Sequence, residues 1–318
     1  MSPVVRRRAY IAFAAVCLIW GTTYLAIKVA LETIPPFAMG GLRYGSAGLI
    51  LAVALRLRGT PLPPRDAWPS LAFVGFFMLG LGNGGVTYGE QFVPSGLAAV
   101  LIATSPFWMT GIESLWPGGE RLRLRHVLGL VVGFTGILVL VWPDLLLSFG
   151  GGSRYGLGVL ALQIACVGWA IGSSYAKRFT QARDVLAAAA LQMIFGGLWM
   201  LLFATVAGEW PRLSFTGRTA FACTYLTVAG SIAAYTAYAY ALKHLPVSTV
   251  SLYTYVNPVI AVVLGTLLLG EPFGARMLVA GALIAAGILV VSVGTPGVAG
   301  DEGGPAANRD PVSRRCRP

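Results

Sequence analysis

Residues 21–24 read Gly-Thr-Thr-Tyr, and residues 172–175 read Gly-Ser-Ser-Tyr, 151 positions later. Further pairs recur 151 or 152 residues apart and involve proline, glycine and charged residues, which shared hydrophobicity alone does not align. The other matched positions are Pro94 with Pro246, Pro106 with Pro258, Gly119-Glu120 with Gly270-Glu271, Arg125 with Arg276, and Gly136-Ile137-Leu138-Val139 with Gly287-Ile288-Leu289-Val290. We interpret the chain as two copies of one ancestral half.

The composition indicates that both halves lie in a lipid bilayer. The chain of 318 residues is 56% hydrophobic and only 11% charged, whereas a soluble domain carries about 25% charged residues. A hydrocarbon core is crossed by apolar runs of about 20 residues. The ten predicted spans cover residues 9–29, 36–55, 69–91, 96–116, 126–143, 155–176, 185–207, 218–241, 246–269 and 276–294. They leave no room for a soluble domain.

The two halves are predicted to enter the membrane from opposite sides, because each contains five spans, an odd number. The predicted fold class is an all-α polytopic membrane protein of ten transmembrane helices, arranged as two inverted five-helix repeats. Inverted repeats are typical of secondary transporters, in which two similar bundles exchange conformations. The alternative is a duplication that only builds a stable bundle, as channels and membrane enzymes also contain repeats.

The chain divides into five predicted segments. Residues 1–8 are a cytoplasmic N-terminus, 9–143 the first repeat, 144–154 a linker, 155–294 the second repeat and 295–318 a cytoplasmic tail. The tail is rich in glycine, proline, alanine and charge, so we expect it to be disordered. The first span is too long for a cleaved signal peptide.

The positive charge is distributed unevenly between the two sides of the membrane. Of 23 lysines and arginines, 17 lie on the side of the N-terminus, five lie on the opposite side, and Arg43 lies inside the second span. Cytoplasmic loops carry an excess of basic residues. Both termini are therefore predicted to be cytoplasmic, and the net charge of +11 does not indicate a nucleic-acid partner.

Several short motifs, taken in order, resemble a known family. Residues 20–28 (Trp-Gly-Thr-Thr-Tyr-Leu-Ala-Ile-Lys), residues 35–37 (Pro-Pro-Phe), residues 42–44 (Leu-Arg-Tyr) and the paired Gly-Glu and Gly-Ile-Leu-Val motifs resemble EamA-type members of the drug/metabolite transporter superfamily. The resemblance covers residues 9–294. It implies two EamA repeats around a central cavity, with amino acids, other metabolites or nucleotide-linked sugars as substrates. The chain looks most similar to bacterial exporters of amino acids, including aromatic ones, which implies a multi-pass protein of the bacterial inner membrane.

Polar and aromatic residues at mid-span are costly unless they face protein or a water-filled cavity. The candidate substrate-binding residues on this criterion are Trp20, Thr22, Tyr24, Asn83, Tyr88, Ser105, Trp108, Trp169, Ser173, Tyr235, Tyr253 and Asn257. The alternative for each aromatic residue is a place in an interfacial belt or in packing between helices. Trp20, Trp108 and Trp169 lie near span centres, too deep for a belt.

Two prolines and three charged residues complete the candidate set. Pro106 and Pro258 each free a carbonyl within an apolar helix, which favours a hinge, although a simple bend is the alternative. Arg43 is predicted to hold a carbonyl or attract a carboxylate. Glu90 and Glu113 are candidates for coupling to protons, because burial raises the pKa of a carboxyl group.

Other classes of protein fit the sequence less well. The first span lacks the acidic residue of small multidrug exporters, and only Arg43 and Lys28 lie deep enough to neutralise a phosphate. No aspartate falls in a span, and the two histidines lie at loops, so an enzyme, a metal site and a cofactor are not predicted. A passive channel remains open. We expect a carrier, functional as a monomer, for amino acids with aromatic or large apolar side chains.

Overall fold

The structure is a computed structural model that describes residues 3–116, 154–179, 184–245, 253–271 and 274–292, with Val250 and isolated residues between 124 and 139. The described residues form no strand, one short 3-10 helix at Trp210–Arg212, and nine longer helices. These helices are α1 (Pro3–Ala30), α2 (Pro36–Leu57), α3 (Arg65–Gly89), α4 (Ser95–Leu115), α5 (Tyr155–Phe179), α6 (Val185–Val206), α7 (Gly217–His244), α8 (Tyr253–Leu269) and α9 (Ala275–Ser292).

The prediction of an all-helical polytopic membrane protein is confirmed for this part of the chain. Helices α1 to α7 are each long and apolar enough to cross a bilayer. Helices α8 and α9 contain shorter apolar stretches, Val256–Leu269 and Ala275–Gly287. The fifth predicted span, 126–143, lies mostly outside the described residues, so the count of ten helices stays a prediction.

Two helices extend beyond the predicted spans. Helix α1 begins at Pro3, and Arg6, Arg7 and Arg8 are exposed on its first turns. Helix α5 continues to Phe179, so Lys177 and Arg178 lie in its last turn. Hydropathy marks where the lipid ends, but a helix continues until a breaker stops it, and neither stretch contains one.

Contacts at the helix ends define the direction of each half. The amine of Lys28, near the end of α1, donates to the carbonyl of Glu90, just after α3 (2.6 Å). Gly158, near the start of α5, packs against the carbonyl of Gly89, at the end of α3. We call the end of the bundle where α1 and α3 end the outer end. The opposite end, where α1 begins, is called the inner end. Helix α5 therefore runs opposite to α1, and the inner end is the one predicted to be cytoplasmic.

Helices α2 and α6 pack with their backbones in contact. A Cβ at Gly48 would lie 2.7 Å from the carbonyl of Ala190 and from the amide of Ile194. A Cβ at Gly197 would lie 2.8 Å from the Cα of Gly45. Small residues allow such close approach in membranes, where packing replaces the hydrophobic effect between helices. This contact fixes α2, the helix that carries Arg43.

Two of the helices contain π-helical segments. Gly75–Asn83 in α3 and Leu226–Ala233 in α7 are π-helical, and they begin 151 residues apart. Helix α4 is interrupted after Ile102 and resumes at Ser105. Pro106 lies in the first turn of the resumed helix, where its missing amide hydrogen costs little. The π segment of α3 and the break in α4 contribute residues to one cavity, and Ser231 in the π segment of α7 hydrogen-bonds to Arg43, which lines it.

Candidate substrate-binding site

A narrow cavity lies between α1, α2, α3, α4, α5 and α8. Its volume is about 60 Å³. Eight of the residues selected from the sequence line it, namely Trp20, Tyr24, Arg43, Asn83, Ser105, Trp169, Tyr253 and Asn257. The sequence analysis did not select the other lining residues, which are Thr23, Ile27, Gly82, Val86, Ile102, Ala165 and Cys166. The cavity is too narrow to admit a metabolite unless helices move.

Four buried aromatic rings close the cavity on one side, and we call Trp20, Trp169, Tyr238 and Tyr253 the aromatic cluster. The centroid of Trp20 lies 5.4 Å from that of Trp169, 5.2 Å from that of Tyr238 and 5.0 Å from that of Tyr253. The Trp20 pairs with Trp169 and Tyr253 meet edge to face, an arrangement that aromatic quadrupoles favour. The Trp169 indole donates to the Tyr238 hydroxyl (3.1 Å). The rings are therefore held in defined orientations.

A second hollow, the inner vestibule, lies on the other side of the aromatic cluster, between α3, α5, α6 and α7. Its volume is about 300 Å³. Tyr238 lines the vestibule, whereas the other three rings of the cluster line the cavity. Tyr235 also lines the vestibule and donates to the Gln192 side chain (2.9 Å). The aromatic cluster thus separates two hollows on one path.

Arg43 brings a positive charge to the cavity wall. Its side chain is 2% exposed, and Nε donates to the hydroxyl of Ser231 (2.7 Å). Nη1 has no hydrogen-bond partner among the described residues. The guanidinium carbon lies 4.6 Å from the centroid of the Tyr44 ring. Ser231 belongs to the π segment of α7, so that segment positions the charge.

Two candidate residues make polar contacts outside the cavity. The Thr22 hydroxyl hydrogen-bonds to the Tyr225 hydroxyl and donates to the carbonyl of Ile19. The Trp108 indole donates to the Gln163 side chain (3.0 Å). Both therefore connect neighbouring helices in this structure and do not line the cavity.

Two further candidates also lie away from the cavity. The Ser173 hydroxyl is 3.0 Å from the Tyr238 hydroxyl and supports the aromatic cluster from behind. Tyr88 stacks on Phe37, with centroids 5.8 Å apart, in an apolar groove between α2, α3, α5 and α6. Pro258 lies inside α8, next to the cavity residue Asn257.

The two candidate coupling carboxylates lie at opposite ends of the bundle. At the inner end, Glu113 forms a two-pronged ion pair with Arg178 and accepts from the Ser174 hydroxyl (3.0 Å). At the outer end, Glu90 is fully buried, and neither carboxyl oxygen accepts a hydrogen bond from the described residues. Lys28 and Arg43 are the positive charges that act on Glu90.

Two other carboxylates cap helices at the outer end. Glu271 accepts from the amide of Ser95 (2.8 Å), from its hydroxyl (2.8 Å) and from the amide of Gly96 (3.1 Å), at the start of α4. Glu209 accepts from the amide of Ala38 (2.7 Å) at the start of α2. Burial raises the pKa of the Glu209 carboxyl, against the effect of the amides that it accepts from. In the sequence, Glu271 stands out only as part of the repeated Gly-Glu motif.

The fold and the cavity define the class of the molecule, a polytopic membrane transporter. Residues 7–142 and 156–293 each match the EamA-like transporter family, and the chain belongs to that family.

Named relatives support this assignment. The chain is 35% identical to the uncharacterized inner membrane transporter YedA of Escherichia coli K12, over 89% of this chain and 90% of that protein. It is 25% identical to the uncharacterized transporter YvbV of Bacillus subtilis, over 92% of this chain and 94% of that protein. A solved crystal structure of 23% identity superposes with a TM-score of 0.66, covering 90% of this chain and 97% of the other. That last likeness shows the fold alone.

Proposed function

We propose that this transporter exports or facilitates the passage of small organic metabolites, above all amino acids with aromatic or large apolar side chains. The observation that carries the proposal is the cavity walled by Trp20, Trp169 and Tyr253. Edge-to-face and offset contacts with such a wall are worth about 0.5–1.5 kcal/mol per ring pair beyond area burial. The apolar side chain of the substrate would pack against these rings, and the polar end of the substrate would face Asn83 and Ser105.

The proposal includes ten helices in two inverted halves, inserted as a multi-pass monomer in the inner membrane. Three observations support the inversion: the opposite directions of α1 and α5, the two matches to one family, and the π segments in α3 and α7. Rocking of one half against the other would open the cavity to each side in turn. The narrowness of the cavity is consistent with a state in which access is restricted.

Counterflow in liposomes tests the proposal. Purified protein is reconstituted, loaded with unlabelled substrate and challenged with labelled phenylalanine, threonine or a sugar. We expect phenylalanine counterflow to exceed that of threonine by about tenfold, because roughly 1.4 kcal/mol of aromatic contact is lost. Equal flux of all three solutes would remove the proposal, and flux without trans-stimulation would indicate a passive channel.

A tryptophan variant locates the effect in the cavity. Trp169→Ala removes a ring of the aromatic cluster, and we expect phenylalanine counterflow to fall by about tenfold or more. The matched control is Trp210→Ala, at a tryptophan that is 41% exposed at the outer end. Unchanged phenylalanine flux in Trp169→Ala would contradict the aromatic pocket.

A further inference from the structure

We infer that the cavity recognises its substrate by a carboxylate bound to Arg43 and does not select for an amino group. The substrate class is then apolar-bodied monocarboxylates, of which amino acids are only one kind. This inference rests on the proposed function, since it takes the cavity as the transport site. It is argued from the charge, the space and the hydrogen bonds of the cavity wall.

Among the described residues Arg43 forms no ion pair, and the buried Glu90 carboxyl acts on it only at longer range. The structure contains two ion pairs among the described residues, Arg178–Glu113 and Arg218–Glu32, and neither includes Arg43. A buried charge is costly unless it is paired and hydrogen-bonded. The planar guanidinium presents two parallel N–H donors that match a carboxylate. With Nε held by Ser231, Nη1 remains free for such a ligand.

Gly230 lets the Arg43 guanidinium pack closely against the backbone of α7. A Cβ at Gly230 would lie 2.8 Å from Nη2 of Arg43 and 3.0 Å from Cγ2 of Thr23. The carbonyl of Gly230 accepts from the Trp20 indole (3.0 Å), so the same glycine orients the aromatic cluster. Gly230 lies in the π segment of α7, and such segments are frequent at functional sites. One short segment thus places an anion-binding group next to an aromatic wall.

The described residues that line the cavity offer no negative charge to an ammonium group. Among the described residues that line it, Arg43 is the one that carries a charge. In the orientation that satisfies its hydrogen bonds, the Asn257 amide nitrogen donates to the carbonyls of Tyr253 (3.1 Å) and Cys17 (3.0 Å). An ammonium group would therefore meet only neutral acceptors, and its desolvation would be poorly compensated. Removing it from the substrate should not weaken binding.

Three probes that share a phenyl ring test the inference on the purified full chain in detergent near neutral pH. They are 3-phenylpropionate, phenylalanine and phenethylamine, each at millimolar concentration. Ligands that bind the native state raise the melting temperature. We expect a rise of about 3 °C with the two carboxylates and none with the amine. A rise with phenethylamine, or none with 3-phenylpropionate, would overturn the inference.

Substitutions at Arg43 separate binding from folding. In Arg43→Gln we expect the carboxylate-induced rise to disappear, while the ligand-free protein melts within about 5 °C of the wild type, because glutamine can still hydrogen-bond to the Ser231 hydroxyl. Arg218→Gln, at the exposed outer ion pair, is the control and should keep the rise. A rise that persists in Arg43→Gln contradicts the inference, as does a ligand-free melting temperature lowered by more than about 5 °C. Gly230→Ala, which crowds Nη2, should weaken carboxylate binding about tenfold.

Competition in the counterflow assay distinguishes this inference from the proposed function. If phenylalanine counterflow is absent but 3-phenylpropionate still stabilises the protein through Arg43, amino acid transport fails and the anion site stands. If phenylalanine counterflow is present and phenethylamine inhibits it while 3-phenylpropionate does not, transport stands and the inference fails.

Discussion

Lys28 and Lys177 make similar contacts at opposite ends of the bundle. Lys28, in the last turn of α1, donates to the carbonyls of Glu90 (2.6 Å) and Val93 (3.0 Å), after α3. Lys177, in the last turns of α5, donates to the carbonyl of Leu245 (3.1 Å), after α7. In the proposed repeat, α1 corresponds to α5 and α3 to α7. Each lysine therefore links equivalent helices of its own half, one at the outer end and one at the inner end.

The surroundings of the two lysines differ. The outer contact lies beside the fully buried Glu90 carboxyl, whereas the inner contact lies beside the Arg178–Glu113 ion pair, which is about one quarter exposed. A lysine can exchange a carbonyl for water at a net cost of about 1–3 kcal/mol. Contacts of this strength can break and form again, so the proposed alternating access can include separation of helices within each half as well as rocking between the halves.

The largest expected effect comes from breaking the two lysine contacts separately. Cys166, which lines the cavity, is used as a reporter in a chain whose other cysteines are replaced by serine. Lys28→Met should raise the labelling of Cys166 by an impermeant maleimide added from the outer side about tenfold. Lys177→Met should raise it as much when the maleimide is added from the inner side. In each variant the closed state of that end loses about 1.4 kcal/mol of stabilisation.

Lys243→Met is the control, since Lys243 also lines the inner vestibule. Labelling that rises from the same side in both lysine variants would show that the two contacts do not close opposite ends.

A smaller effect is expected from removing the carboxylate of Glu271, which caps the start of α4 at the outer end. Glu271→Gln replaces a carboxylate that accepts three hydrogen bonds at the start of α4, and we expect a loss of about 0.5–1 kcal/mol in the free energy of unfolding, because glutamine keeps one acceptor oxygen. Thermal unfolding in detergent measures it. Glu32→Gln, at the exposed ion pair with Arg218, should change little. Equal losses in both variants would mean that the cap contributes nothing specific.

The smallest effect concerns pH and the second outer cap. Because the pKa of Glu209 is raised in the folded protein, folding favours its protonated form, and that contribution is lost as pH rises through the folded pKa. The melting temperature of the wild type should therefore fall relative to that of Glu209→Gln as pH rises from about 4. The difference should be of order 1 kcal/mol or less. A wild-type melting temperature that rises relative to that of Glu209→Gln over the same pH range would contradict this prediction.

The sequence predicts helix positions well because breakers and apolar length are local signals. The span predicted at 36–55 is the helix Pro36–Leu57. The sequence predicts poorly which side chains face lipid and which face the protein interior. Both environments are apolar, so no hydrophobic stripe marks the face of a helix that packs against its neighbours. Trp108 and Trp169 therefore look alike in sequence, although only Trp169 lines the cavity.

Contacts between the halves account for most of what the sequence could not predict. Arg43 could be recognised as a charge inside a span, but Ser231, which fixes its orientation, lies 188 positions away in α7. Tyr238, noticeable only as one aromatic residue among many, becomes central because it joins Trp169 to Ser173. Neither π segment has a local signal that separates it from an ordinary helix.

The placement of the two π segments bears on the history of the chain. A π turn holds an extra residue relative to an α turn, and the two segments, at Gly75–Asn83 and Leu226–Ala233, start 151 residues apart, the separation that relates Gly21 to Gly172. Under the proposed duplication, the simplest history places the insertion in the ancestral gene before it was copied. The backbone distortion that positions Asn83 in one half and Ser231 in the other is then older than the divergence that left Arg43 in only one of them.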